Sequence, residues 1–225
     1  MDKQAKLEIV KRLTKPYYDQ IECWTHGWPH IVDTVKAARD LAQMEGADPF
    51  LCQVAAYCHD LGRLEEERKK MVNPKPHTSL MHARMSVKPT KKILERVGIK
   101  GKDRDDIIEA VIIHPSKKYE GENKIALILQ DADRSSGFGK QAILRFAAFN
   151  CQLEFGSPTE DNLDEKFAWV ERKLKKDAVV RQRMIEVLKY ALKWYDVLLN
   201  TKSAKEYIKE RYSLNKKFFE KLEKM

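Results

Sequence analysis

The residues of this chain that can do chemistry are few and clustered. There are six histidines, His26, His30, His59, His77, His82 and His114. Most of them fall at or near expected helix ends, where a side chain can point into a shared cleft. His30 lies in the first turn of one helix. The pair His59-Asp60 closes another, just before Gly62. His114 ends a third, and Asp131 lies in the last turns of a fourth, inside Asp131-Ala132-Asp133-Arg134. Imidazole and carboxylate ligands without a thiolate suit borderline or hard divalent cations such as Mn, Fe, Co, Ni, Zn or Mg. Taken singly, each residue has a plainer reading. A histidine at a helix end often serves as a cap or as a partner of the helix dipole, and an Asp-Ala-Asp is commonly a solvated face.

The elements that must position these groups read as helices throughout, because apolar residues recur at helical spacing and no sustained alternation appears. Pro29 opens a helix carrying Ile31, Val35, Ala38 and Ala42. Asp48-Pro49 is an N-cap followed by proline at the first helical position, leading into Leu51, Val54, Ala55 and Cys58, with Gly62 as the C-terminal stop. A further helix is expected to begin at Pro89, and Asp103 to cap the next, which Pro115 ends. Ile125, Ile128, Leu129 and Ala132 mark a fifth helix. Helices follow from Ile143 to Phe149 and from Asp164 to about Leu199, and Ser203 to Met225 reads as one or two lysine-rich amphipathic helices. Arg63 to Thr78 and Pro115 to Asn123 read as loops. The expected fold is all-α: one helical domain over 1–225, with a metal-binding core at 20–150 and a C-terminal helical extension, 151–225, packed on it.

Three segments taken together carry a family resemblance. They are Trp28-Pro29-His30-Ile31-Val32-Asp33-Thr34-Val35, Ala55-Ala56-Tyr57-Cys58-His59-Asp60-Leu61-Gly62-Arg63, and Leu129-Gln130-Asp131-Ala132-Asp133-Arg134. In this order they resemble the H…HD…D signature of the HD-domain superfamily of metal-dependent phosphohydrolases, and most of all its small stand-alone members. The resemblance covers roughly residues 20 to 150. It implies that His30, His59, Asp60 and Asp131 are metal ligands. It places His82 and His114 where two-metal relatives carry additional histidines, with Asp60 bridging, so that one or two divalent ions are expected. His26 resembles a residue found just ahead of the first ligand, and His77 reads as a loop residue. No His-His-Glu or Gly-Tyr-Pro element of the cyclic-dinucleotide-degrading relatives is present. Glu65-Glu66-Glu67 only loosely matches the pattern of the stringent-response hydrolases.

The implied chemistry is hydrolysis of a phosphate ester of a nucleotide or other small phosphorylated metabolite by a metal-activated water. Basic groups near the metal would stabilise charge on the phosphoryl oxygens. Arg63 and Arg134 are the candidates, with Asp60 as the catalytic carboxylate and Lys88 and Lys92 as weaker cations. Asp133 reads as a helix-end carboxylate or as a group that orients a ligand or a water. Trp24 and Trp28 read as core packing at a helix start. The alternative is a non-catalytic sensor of the same fold that binds metal and nucleotide.

Bulk properties bound these readings. The 225 residues are 43% hydrophobic and 34% charged, with a net charge of +9. No apolar run approaches the roughly 20 residues of a membrane span, and the polar start Met1-Asp2-Lys3-Gln4 predicts no signal peptide. Cys23, Cys52, Cys58 and Cys151 form no C-x-x-C pair, so free thiols in a reducing cytoplasm are expected. The positive charge alone would allow a nucleic-acid partner, but no binding motif accompanies it, and a solvated lysine face accounts for it. No oligomeric state is assigned.

Overall fold

The computed structural model describes residues 1–21, 24–72 and 81–225, with Trp24 and residues 70–72 described by backbone only. No strand occurs among the described residues. The chain divides into two compact units, Met1–Asp133 and Arg134–Met225.

The first unit is built around one short helix. Helix α1 runs Lys3–Tyr18, a 3-10 turn spans Trp24–His26, and α2 (Trp28–Met44) and α3 (Pro49–Cys58) follow. Asp48 caps α3 as expected: its carboxylate accepts from the Phe50 N–H at 2.9 Å, with proline in the first turn. Helix α3 packs against α1, α2, α5 (Met81–Arg96) and α6 (Gly101–Ile113). It is therefore buried nearly all round, at Phe50, Cys52, Val54, Ala55, Ala56, Tyr57 and Cys58. Each large apolar side chain among them contributes about 1.5–3 kcal/mol by leaving water. Its small residues let the neighbouring backbones approach. Helix α2 buries the stripe His30, Thr34, Ala37, Ala38 and Leu41, so His30 lies on the core-facing side by the same periodicity that packs the helix. Helix α7 (Lys124–Ser135) runs to the end of this unit and into the next. Trp28, expected in the core, is only partly buried and packs on Tyr57, with ring centroids 5.9 Å apart and nearly parallel.

In this unit three expected boundaries move. Arg63–Val72 is a helix, α4, and not a loop; the expected loop beyond it, like His77, lies outside the described residues. Helix α5 starts at Met81, so Pro89 sits inside it instead of opening it. A proline removes one helical hydrogen bond, and burial of Thr90, Ile93 and Leu94 holds the helix across that gap. Helix α6 starts at Gly101, with Asp103 in its first turn and Lys100 in the cap position. Gly62 is not in the left-handed region that a glycine stop uses. It is needed because a Cβ there would stand 2.1 Å from the His82 carbonyl oxygen and 2.7 Å from Met85 Cβ.

The second unit consists of α8 (Lys140–Phe149), a 3-10 turn at Glu160–Asn162, α9 (Leu163–Lys176), α10 (Ala178–Val197) and α11 (Lys202–Glu223). The expected long helical segment from Asp164 to Leu199 is thus two helices, broken at Asp177, which caps α10 through the Val179 and Val180 N–H groups. The lysine-rich tail is one helix. Buried Asn215 joins α11 to the start of α8, accepting from the Gly139 N–H at 2.8 Å and donating to the Gly137 carbonyl at 3.1 Å.

Because Gly62 is pressed against α5, Gly62→Ala is expected to destabilise the protein by about 1–3 kcal/mol through overpacking. Denaturant unfolding measures this, and an unchanged midpoint would contradict the close approach.

Candidate metal centre

Five helix ends of the first unit deliver polar side chains to one place. His30 comes from the first turn of α2, His59 and Asp60 from the end of α3, and His82 from the first turn of α5. His114 follows the last turn of α6, and Asp133 lies near the end of α7. His30, His59, Asp60, His82 and His114 are all buried, and Asp133 is partly exposed. One hydroxyl ties two of these ends together. Ser86 Oγ accepts from the Gly62 N–H at 2.8 Å, and its proton has two carbonyl acceptors, that of His59 at 2.8 Å and that of His82 at 2.9 Å. Gln130 of α7 secures the stretch after His114, donating to the carbonyls of Ile113 and Lys117 and accepting from the Tyr119 N–H.

The ring orientations follow from the helix ends. His59 Nδ1 lies 2.7 Å from the Ala56 carbonyl, and His114 Nδ1 lies 2.7 Å from the Val111 carbonyl. A carbonyl only accepts, so the proton of each neutral ring sits on Nδ1 and its Nε2 presents a lone pair. The Nε2 atoms of all four rings lie near the carboxylates. Asp60 Oδ1 is 3.2 Å from His82 Nε2 and 3.4 Å from His114 Nε2. Asp60 Oδ2 is 3.6 Å from His59 Nε2 and 4.0 Å from His30 Nε2. Asp133 Oδ1 is 3.3 Å from His30 Nε2 and 3.8 Å from His59 Nε2. Asp60 thus faces two sides, one oxygen to each.

The donor set fits divalent cations. Three groups have ligand atoms within 4.8 Å of one another: His30 with His59 and Asp60, His59 with His114 and Asp133, and Asp60 with His82 and His114. Ligand atoms around one cation, each at about 2.0–2.2 Å, stand roughly 3–4 Å apart. Moreover, His59 Nε2 and Asp60 Oδ1 are buried without a hydrogen-bond partner among the described residues. Buried polar atoms are ordinarily paired, and a cation would satisfy both.

The electrostatics suit the same occupant. Burial pushes His59 down to about 4, against the opposing pull of Asp60, and it pushes His82 down to about 3. Both rings are therefore neutral at pH 7, as ligands must be. For Asp60, burial favours the neutral acid, but its neighbours, Arg63 first among them, outweigh it and hold the carboxyl well below its usual range. Asp133 is likewise lowered against desolvation, chiefly by His30.

The structure brings together five of the six residues expected as ligands and exchanges the sixth. Asp133, not Asp131, reaches the histidines. Residues two apart on a helix point about 200° apart, so only one of the two aspartates can face the cluster. Asp131 is fully buried and belongs to none of the three groups. Arg63 is at the site, its Nε donating to Asp60 Oδ2 at 3.1 Å and its Nη1 to Glu66 Oε2 at 3.2 Å. Buried Glu66 is the further residue at the site; the sequence showed it only within Glu65-Glu66-Glu67, with no part in the cluster. Arg134 donates to the Leu198 carbonyl within the second unit. His26 stands edge-on to His30, with centroids 6.5 Å apart.

A family model for the HD domain matches residues 27–137. Several solved structures share the fold over nearly the whole chain. Bacillus subtilis YpgQ in complex with ADP is 21% identical, with 97% of this chain and 95% of that one covered and a TM-score of 0.56. Listeria innocua Lin1889 is 19% identical, with coverages of 99% and 96% and a TM-score of 0.54. A protein of Lactobacillus plantarum is 16% identical, with coverages of 97% and 95% and a TM-score of 0.59. No curated protein matches the sequence.

The exchange of aspartates can be read directly from isosteric variants. Asp133→Asn is expected to lower bound metal, measured by elemental analysis, while folded Asp131→Asn keeps it. The opposite pattern would return Asp131 to the ligand set.

Proposed function

Since this chain is an HD-domain protein, we propose that it is a metal-dependent hydrolase that cleaves a phosphate ester of a nucleotide or another small phosphorylated metabolite. The observation that carries this reading is the buried convergence of four imidazole Nε2 atoms on Asp60 and Asp133 within the matched domain. His30, His59, Asp60 and Asp133 would hold one divalent cation, and Asp60, His82 and His114 a second. A bound cation supplies Lewis acidity at a phosphoryl oxygen and makes water more acidic.

The chain's own residues do the rest. The Ala56 and Val111 carbonyls fix the tautomers of His59 and His114. Arg63 holds Asp60 in place and carries a positive charge to the edge of the cluster. That charge is partly answered by Glu66, so Arg63 serves as much to orient Asp60 as to attract phosphate. Arg134, engaged at Leu198, is not assigned a catalytic part. Asp133 is the carboxylate of the cluster with solvent access, at 26% exposure against 2% for Asp60, and it is placed to orient an attacking water. The ADP complex of YpgQ favours a nucleotide as the substrate class.

A cytoplasmic setting agrees with the thiols. Cys52, Cys58 and Cys151 are buried and free, and burial pushes Cys52 and Cys58 up to about 12, which leaves them unreactive. No helix among the described residues is long and apolar enough to cross a membrane.

The test is a panel of nucleotides, sugar phosphates and a chromogenic phosphate, each with Mn, Co, Ni or Mg added. Turnover of at least one nucleotide is expected, abolished by chelation. No turnover from the metal-loaded protein would favour the sensor reading. Arg63→Ala is expected to lower kcat by about tenfold to a hundredfold while the metal stays bound. An unchanged kcat would reduce Arg63 to a structural ion pair.

A further inference from the structure

The three histidines nearest Asp60 solve one problem in two ways. A neutral imidazole that offers Nε2 to a cation carries its proton on Nδ1, and a buried N–H needs an acceptor. His59 and His114 each find one in a carbonyl three residues back, at the C-terminal end of their own helix, where carbonyls are unclaimed. His82 cannot do so. It is the second residue of α5, and no carbonyl of that helix stands one turn before it. Its Nδ1 is buried without a hydrogen-bond partner among the described residues. What faces it is a carboxylate: Glu66 Oε2 stands 3.8 Å away, buried, and steadied by Arg63 Nη1 at 3.2 Å.

We infer that Glu66 is a positioning residue for the cation side formed by Asp60, His82 and His114, accepting a hydrogen bond from His82 Nδ1–H when Nε2 is committed to a cation. This rests on the metal-centre reading above. The separation of 3.8 Å is too long for a hydrogen bond and is what the cation-free tautomer calls for. His82 Nε2 is 3.2 Å from His114 Nε2. His114 presents a lone pair there, so the His82 proton sits on Nε2 and donates to it. His82 Nδ1 then shows a lone pair to the Glu66 carboxylate, and the two keep apart. With both Nε2 atoms committed to a cation, His82 would release its Nε2 proton to solvent. His82 takes a proton on Nδ1, the ring remains neutral, and the repulsive pair becomes a donor and an acceptor. A carboxylate on a ligating histidine also raises the basicity of that ligand. Glu66 thereby makes the second cation side depend on α4.

The experiment uses the full chain. Mn2+ titration by calorimetry counts the cations. Histidine 15N spectra of the Zn2+-loaded protein report the His82 tautomer, assigned by its absence in His82→Gln. The wild type is expected to bind two cations, with His82 changing from the Nε2–H to the Nδ1–H form. Glu66→Ala should weaken the second cation by about tenfold to a hundredfold and leave the first unchanged, which also certifies the fold. Glu66→Gln keeps an acceptor oxygen and should recover most of the loss. Wild-type binding of both cations by Glu66→Ala, an unprotonated Nδ1 in the loaded protein, or a single cation in the wild type would each overturn the inference. A wild type that binds no cation would overturn the metal-centre reading itself.

Discussion

An ionised carboxylate buried beyond the reach of water is the fact around which the first unit is arranged. Taking such a group out of water costs several kcal/mol unless opposite charge and hydrogen bonds replace the solvent. Asp60 is 2% exposed and charged. Arg63 supplies one opposite charge, but one guanidinium that also serves Glu66 does not offset a site holding three carboxylates. His59 and His82, kept neutral by their own burial, offer no charge. A cation held by nitrogen and oxygen donors would complete the balance.

That constraint explains why the site is assembled from helix ends. A helix interior has no spare carbonyl, whereas its last turn has up to four. The terminal carbonyls of α3 and α6 orient His59 and His114 with no further side chain needed. The first turns of α2 and α5 bring the remaining two rings without such carbonyls; for His82 the group facing Nδ1 is the Glu66 carboxylate, 3.8 Å away.

Much of this was legible in the sequence. His59-Asp60 after an apolar helix, Pro29 before His30 and Asp48-Pro49 before α3 are signals with local causes, and the structure keeps them. Asp133 was obscured because α7 is buried on nearly every side, so the apolar pattern did not say which aspartate faces the histidines. Glu66 was hidden for the opposite reason. Seven of the eight residues from Arg63 to Lys70 are charged, which leaves no apolar stripe to mark a helix, and α4 read as a loop. Pro89 read as a helix start because proline favours that place. Here burial on the far side of α5 outweighs one missing hydrogen bond. The need for Gly62 was visible, but its cause was not: contact with α5 is a long-range fact.

The hydroxyl of Ser86 has one proton and two claimants, the carbonyls of His59 and His82. It also receives the Gly62 N–H. A single atom therefore fixes the spacing between the backbone that carries one side of the cluster and the backbone that carries the other. Separating α3 from α5 would break these bonds together and admit a gap where Gly62 leaves no slack. The two sides of Asp60 thus share one gauge: the spacing between them is set by this hydroxyl and by the glycine beside it, not by what the cluster would hold.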